Sequence, residues 1–477
     1  MTFYFYDLET SGFNPKTARI IQFAGRRTDT ELKPVGEPDN FLIKLTDDIL
    51  PDPGAILVHG ITPQVTRADG LNEAEFLSYF AEKVATPNTI FIGYNNIRFD
   101  DDFMRFSLWR NFHDAYEWQW KDGRGRWDLL DVARMTRALR PEGLKWPVDT
   151  EGIPINQLAK LAAINKLDHA SVHDALSDVT AALGIASLLK AKQPKLFEYL
   201  FNLRDKQKVI AFIGKGEPVI YTSGRYPSGY DKTTIAVMVA PHPGKPGALM
   251  YDLRVAPDEF IRLKPAALAE LWQLRGKEAP YFPVKVLSYN RCPAVAPISV
   301  LDGESAARLK INSRQIDENF KKLLAAEDFS DKLTAAMEIM YPKQQPDLVV
   351  DELTADNQLY DGFVNDADRA KMRAVRQADG QKLAGLHPDF VDERLNKLLL
   401  LYKARNFPKS LGRVEQDSWE KYRIQKLLSG GESSPAVLYF KRIDELSAQT
   451  GPDRRQKYLL EELKLWGQSI LPGGEAA

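Results

Sequence analysis

Apolar residues change their spacing along this chain, and each change marks a new kind of element. The run Phe3-Tyr4-Phe5-Tyr6 is continuous, as in a strand covered on both faces. Residues 20–27 and 41–45 read as two further strands. Their connections carry Pro and Gly, as in an antiparallel meander. Residues 71–84 show helical spacing of apolar positions, and 89–94 form a short apolar strand that stops at Asn95-Asn96. The pattern predicts a helix over 99–110 that begins with Asp100, Asp101 and Asp102, acids suited to the positive end of a helix dipole. Two more helices follow at 128–139 and 174–190. In the second, Leu176, Val179, Leu183, Ala186 and Leu189 lie on one stripe. Strands first, then helices mixed with strands, predict an α/β layered domain ending near Gln193-Pro194.

The texture then shifts. From 208 to about 341 there are short β-like runs (219–221, 234–239, 248–253, 284–287) among Gly and Pro turns. They predict a small antiparallel β domain with some helix inserted. Gln344-Gln345-Pro346 reads as a linker. Beyond it the pattern is helical, at 367–379, 392–403, 415–428, 435–449 and 456–471. The last residues, from Leu471 to Ala477, read as a disordered tail. The expected domains are therefore 1–193, 194–345 and 346–477, in agreement with a length of 477 residues.

Composition narrows the possibilities. A net charge of −1 argues against a globally basic nucleic-acid wrapper but leaves room for a local basic groove. The single cysteine, Cys292, excludes internal disulfides and any cysteine-based zinc site, and reads as a small buried apolar residue. No basic n-region precedes an apolar segment at the N-terminus, and no apolar run reaches membrane-spanning length. A soluble, cytoplasmic monomer with no membrane contact is expected.

The first strand also carries the first chemistry. Asp7 and Glu9 are two residues apart, so in a strand they point to the same side. Two like charges side by side are costly to bury unless a cation joins them, and a divalent metal is the natural one for carboxylate oxygen. Asp100 sits where a strand gives way to a helix, and His173 and Asp178 lie five apart at the start of another. Taken singly, Asp100 is a helix cap and His173 a surface histidine. Together, four carboxylates and one histidine at strand ends and helix starts can hold two divalent ions that bridge one phosphate. The histidine is then placed to take a proton from the attacking water.

The order Asp-x-Glu-Thr-x-Gly, then Asp100 after Asn-x-x-Phe, then His-x4-Asp resembles the DEDDh 3′→5′ exonucleases. Gly60-Ile61-Thr62-Pro63, the stretch from Gly93 to Asp101, Arg126 to Val132 and Ala138 to Gly143 resemble bacterial exonuclease I more closely. So do Tyr360-Asp361-Gly362-Phe363, Asp366 to Arg369 and Arg405-Asn406-Phe407-Pro408. The resemblance implies an RNase H-like exonuclease domain, an SH3-like β domain and a C-terminal helical domain. Its activity would be processive 3′→5′ degradation of single-stranded DNA with a free 3′ end to nucleoside 5′-monophosphates, in DNA repair.

By motif position the resemblance makes Asp7, Glu9 and Asp178 ligands of one Mg2+, with Asp7 and Asp100 holding a second; Mn2+ is the alternative ion. His173 would be the general base, and Glu9 would also meet the terminal 3′-hydroxyl. Arg105, Tyr116, Trp120, Arg134, Arg140 and Lys206 fall where the family contacts the strand. Arg134, Arg137 and Arg140 would form a rail on one helix face. Gly12 and the Gly60-Ile61-Thr62 turn would let backbone approach the terminal base. Gln157 replaces a basic residue that reaches the substrate, and His59 stands where Thr is usual. The family also binds the acidic tail of single-stranded DNA-binding protein. Arg140 and Tyr199 fit that site, whereas Glu217, Pro297 and Asp302 depart from it. The same five residues could serve an exoribonuclease, and the fold alone could serve a non-catalytic strand-binding protein.

Overall fold

Alternation along a strand explains the opening aromatics. In the computed structural model, which describes residues 1–167, 174–276, 279–342, 352–449, 451 and 453–472, strand β1 (Thr2–Thr10) is central in its sheet. Phe3 and Phe5 point into one core, Tyr4 and Tyr6 into the other. The sheet has the order β3-β2-β1-β4-β5, with β2 at Ile20–Thr28, β3 at Asp39–Leu42, β4 at Thr89–Gly93 and β5 at Gly125–Asp128. Strands β1 to β3 pair antiparallel, as the meander reading expects, and β1, β4 and β5 pair parallel. β3 ends before the predicted Ile43-Lys44-Leu45. β5 is a strand that the apolar pattern does not reveal, because only Trp127 of its four residues is apolar.

Three helices frame the sheet's working end. Helix α1 (Asp100–Arg110) follows β4, α2 (Leu129–Leu139) follows β5, and α3 (Ala175–Lys192) packs across β1 and β2. In α3 Val179, Ala186 and Leu189 of the predicted stripe are buried, as are Ala175, Ala181, Ala182 and Ile185, whereas Leu176 and Leu183 are only partly buried, so the stripe is rotated slightly from the predicted one.

The middle of the chain forms a second five-stranded antiparallel sheet of order β10-β6-β7-β8-β9: β6 Val219–Thr222, β7 Thr233–Pro241, β8 Gly247–Asp252, β9 Val284–Ser288 and β10 Ala294–Pro297. Its core is continuous with the α2–α3 side of the first sheet. The C-terminal part is helical. Pro435–Gln449 and Arg454–Ile470 bring Tyr439, Leu463 and Trp466 against Ile21, Leu45 and Ile56. Shared cores on both sides hold the three parts together. The Gln344-Gln345-Pro346 linker, with the boundary at 345/346, and the last five residues lie outside the described residues, as does His173. No helix among the described residues is long and apolar enough to cross a membrane.

Candidate active site

The pairing of β1 sets up the acids. Asp7 lies opposite Ala24 and Glu9 opposite Gln22, so both carboxylates leave the same face, as period-two geometry requires. The register slips between Glu9 and Thr10, and the chain turns away there. Asp174 caps α3 by accepting the Ser177 N–H at 3.2 Å, while Gln22 Nε2 donates to Asp174 Oδ1 at 3.1 Å. That link from β2 fixes the start of α3 over β1. Asp178, in the helix's first turn, is thereby delivered to Asp7 and Glu9. One carboxylate oxygen from each of the three lies within 4.8 Å of the others.

Asp100 arrives from the other side. The turn before α1 is held by Asn96, whose Nδ2 donates to the Tyr6 carbonyl at 2.7 Å. Asp128 accepts the Asn95 and Ile97 N–H groups at 2.9 and 3.2 Å. The three acids that open α1 have three separate fates. Asp100 is buried beside Asp7. Asp101 accepts the Tyr6 hydroxyl at 2.6 Å and pairs with Arg126. Asp102 pairs with Arg105 at 2.5 Å. Asp128 is thus a positioning residue that motif reading missed; its only signal in the sequence is an acid just before a helix.

Electrostatics shows what this cluster lacks. Burial, then Asp100, Asp178 and Glu9, raise the Asp7 carboxyl well above its ordinary range. Burial, then Asp178 and Asp100, push Glu9 up to about 8. Burial likewise raises Asp100, against the bonds from its own and the Leu8 N–H. After burial, the charged neighbours that shift Asp7 and Glu9 are acids, so the charged forms are stable only when a cation joins them. Hard oxygen donors converging from β1, α1 and α3 fit a divalent metal, and loading it would expel protons.

The residues assigned to strand contact differ in exposure and in what holds them. Trp120 is 64% exposed and Lys206 is exposed at the first turn of Lys206–Ile213. Tyr116 is half-buried and lines a cavity of about 510 Å³ that also has the 90%-exposed Phe363 on its wall. Arg105 is held by Asp102 and by Gln119 Oε1 at 3.0 Å. Gln157 is exposed, at the N-cap of Leu158–Ile164. Gly12 is buried, and a Cβ there would touch Ala18 and Asp52 at 3.4 Å. The three-arginine rail is not uniform. Arg134 pairs with Asp131 at 2.7 Å. Arg137 is buried and pairs with Asp231 of the second sheet's domain at 3.0 Å. Arg140 pairs with Asp302 at 3.0 Å and donates to the Val300 carbonyl at 2.8 Å. Arg137 therefore joins domains and does not face a groove.

The second sheet's domain adds cations that sequence reading did not single out. Burial holds the Arg291 guanidinium below its usual range; Asp102 offsets this in part, while Arg105, Arg98 and Arg225 push it further down. Beyond Arg225 opens a cavity of about 950 Å³ lined by Lys245, Lys285, Trp272 and Tyr281. No spacing pattern marks these residues, because they come from separate turns and strands.

An acid cluster at the end of β1, with further acids at the starts of two helices, belongs to a metal-dependent exonuclease, and residues 4–186 match the Exonuclease family model. Residues 204–338 match the exonuclease I SH3-like domain and 353–470 the exonuclease I C-terminal domain. The chain belongs to the exonuclease I family. It is 38% identical to exodeoxyribonuclease I of Escherichia coli (strain K12) over 479 residues, covering 98% of both chains. The crystal structure of E. coli exonuclease I in complex with a dA16 oligonucleotide superposes with a TM-score of 0.92 at 38% identity, over 98% of this chain and 99% of that one. A crystal structure of SSB/exonuclease I with the inhibitor CFAM gives 0.87 at 37% identity, over 98% and 99%.

Proposed function

We propose that this enzyme removes nucleoside 5′-monophosphates one after another from the free 3′ end of single-stranded DNA, in DNA repair. The observation that carries the reading is the convergence of Asp7, Glu9 and Asp178 within 4.8 Å, beside buried Asp100, in a chain that aligns with exodeoxyribonuclease I over nearly its whole length. Asp7, Glu9 and Asp178 hold one divalent ion, and Asp7 and Asp100 a second; Mg2+ is the expected ion and Mn2+ the alternative. Bound there, the ions supply an activated water and neutralise the leaving oxygen. The chain's own residues do the rest. Glu9 orients the terminal 3′-hydroxyl. His173 is the general base. Exposed Trp120 and half-buried Tyr116 stack bases, while Arg105, Arg134 and Lys206 meet phosphates. The strand then runs past Arg291 toward the cavity walled by Lys245, Lys285 and Trp272.

Arg140 and Tyr199 offer part of a site for the acidic tail of single-stranded DNA-binding protein. Arg140 is already tied to Asp302, which weakens that site. The protein works as a monomer. Domain limits at 193/194 and 345/346 fit this division of labour.

Two 5′-labelled oligonucleotides of one sequence, DNA and RNA, test the reading with Mg2+ and with chelator. Metal-dependent shortening of DNA alone is expected. Equal or better cutting of RNA moves the enzyme to ribonuclease chemistry. Binding without cutting of either leaves a fold without the reaction.

A further inference from the structure

Away from the acid cluster, the most unusual chemistry in the molecule is a buried knot of charge between the exonuclease domain and the C-terminal helices. Asp356 lies just after the short helix Glu352–Ala355 and receives Arg19 Nη2 at 2.7 Å. It also receives Arg405 Nη1 at 2.9 Å and Nη2 at 2.8 Å. Arg405 Nη2 reaches Asp48 of the exonuclease domain at 2.8 Å as well, and Lys426 Nζ meets the same carboxylate at 2.6 Å. Arg19, Asp48, Asp356 and Arg405 are all buried.

A buried ion knot contributes little net stability against an apolar equivalent. Its geometry here does something an apolar plug could not. Arg19 is the last residue before β2, in the connection that leaves β1 after Glu9. Its backbone closes that connection in both directions: the Ser11 N–H donates to the Arg19 carbonyl, and the Arg19 N–H donates to Ser11 Oγ, each at 2.8 Å. Arg110, another buried cation, donates to the Pro15 carbonyl of the same connection at 3.1 Å. Among the described residues the Arg19 side chain has one ion-paired carboxylate, Asp356, more than 300 residues away in sequence; its Nη1 also donates to the Thr17 and Ala18 carbonyls at 3.3 and 3.1 Å.

We infer that Asp356 is a positioning residue for the nuclease site: through Arg19 it holds the Ser11–Arg19 clasp that ends β1, and so sets Glu9 against Asp7 and Asp178. The clasp begins two residues beyond Glu9, at the point where the β1–β2 register slips. Three repelling carboxylates keep a metal-ready spacing only if the strand end cannot relax away from them. The C-terminal domain thereby completes the metal site's support. This rests on the metal-site reading given above.

The test uses the full chain. Mn2+ binding without DNA is followed by paramagnetic resonance, oligonucleotide affinity is measured in chelator, and turnover is measured with Mg2+. Asp356→Asn keeps the shape and removes the charge. Arg19→Lys keeps the charge and removes the fork. Both are expected to weaken Mn2+ binding about 10-fold, the scale of lost outer support for a metal ligand. Turnover is expected to fall by a similar factor while oligonucleotide affinity stays at the parent value. Asp48→Asn loosens the same knot through Arg405 and Lys426 and removes no hydrogen bond from Arg19; it should lower the Tm and leave Mn2+ affinity unchanged. Folded Asp356→Asn with parental Mn2+ affinity overturns the inference, as does an Asp48→Asn that weakens Mn2+ equally. If Asp356→Asn fails to fold, Arg19→Lys decides alone. A parent that cuts DNA but whose Mn2+ affinity ignores Arg19 disproves only this inference; a parent that binds no Mn2+ disproves the metal site as well.

Discussion

Asp131 shows how a single acid can set the charge of two arginines. It pairs with both Arg98 and Arg134, so the trio carries one net positive charge. Arg134→Ala makes the trio neutral, and the salt slope of single-strand binding should flatten by about 0.7. An unchanged slope would take Arg134 off the path. Trp120 projects into solvent, 64% exposed. Trp120→Ala should cost about 1–3 kcal/mol of strand affinity regardless of base sequence, read by anisotropy in chelator. His173→Ala should lose about 10²–10⁴-fold in rate through the missing base and still bind DNA. Near-normal turnover would assign the proton transfer to another group.

At the scale of elements, the turn from β4 into α1 carries the greatest demand. Asn95 is left-handed, at φ +78°, and Asn96 folds back under Gly93 to reach the Tyr6 carbonyl. A Cβ at Gly93 would lie about 2 Å from the Asn96 amide, far inside contact distance. Gly93→Ala must therefore push Asn96 out and shift Asp100. Overpacking of this kind costs about 1–3 kcal/mol, seen as a lower urea midpoint, with a fall in turnover beyond what the stability loss explains. A parental midpoint would show that the turn can relax. Gln22, which links β2 to the cap of α3, is the matching tie on the opposite side.

For the molecule as a whole, burial of His113 between the exonuclease domain and the C-terminal helices makes stability depend on pH. Burial, then the nearby Arg376 charge, lowers its imidazole from 6.5 to about 3. The folded state keeps the ring neutral while the unfolded chain takes a proton. Stability is therefore full above the unfolded value of about 6.5 and drains away as pH falls toward 3. Urea melts at pH 7 and pH 5 should show this loss, and His113→Gln should flatten it by close to one proton. An unaltered slope would place the acid sensitivity elsewhere. Asp356 works in the same direction at lower pH. Arg405 and Arg19 overcome its burial and hold it below the ordinary carboxylate range, so its contribution disappears as pH drops under about 3.8.

How far the sequence could be read follows from these three scales. The β1 strand, the positions of α1 to α3 and the long C-terminal helices were legible because apolar period reports local geometry directly. Asp7, Glu9, Asp100 and Asp178 were legible because their spacing and neighbours form a motif. β5 was not, since a short strand with one apolar residue has no period to detect. Nor was Asp128, whose task is to hold a backbone turn more than 30 residues away. Arg137 looked like a neighbour of Arg134 and Arg140 on one face, yet packing against Asp231 took it out of solvent. The cations around Arg225 and Arg291, and the knot joining Arg19 to Asp356, exist only because distant segments meet. Local chemistry and periodicity are written along the chain and determined the elements and the acids they carry. Which charges are neutralised, which stay exposed, and what ties the β1–β2 connection to the C-terminal helices depend on contacts between far-apart residues, and only the tertiary structure decided those.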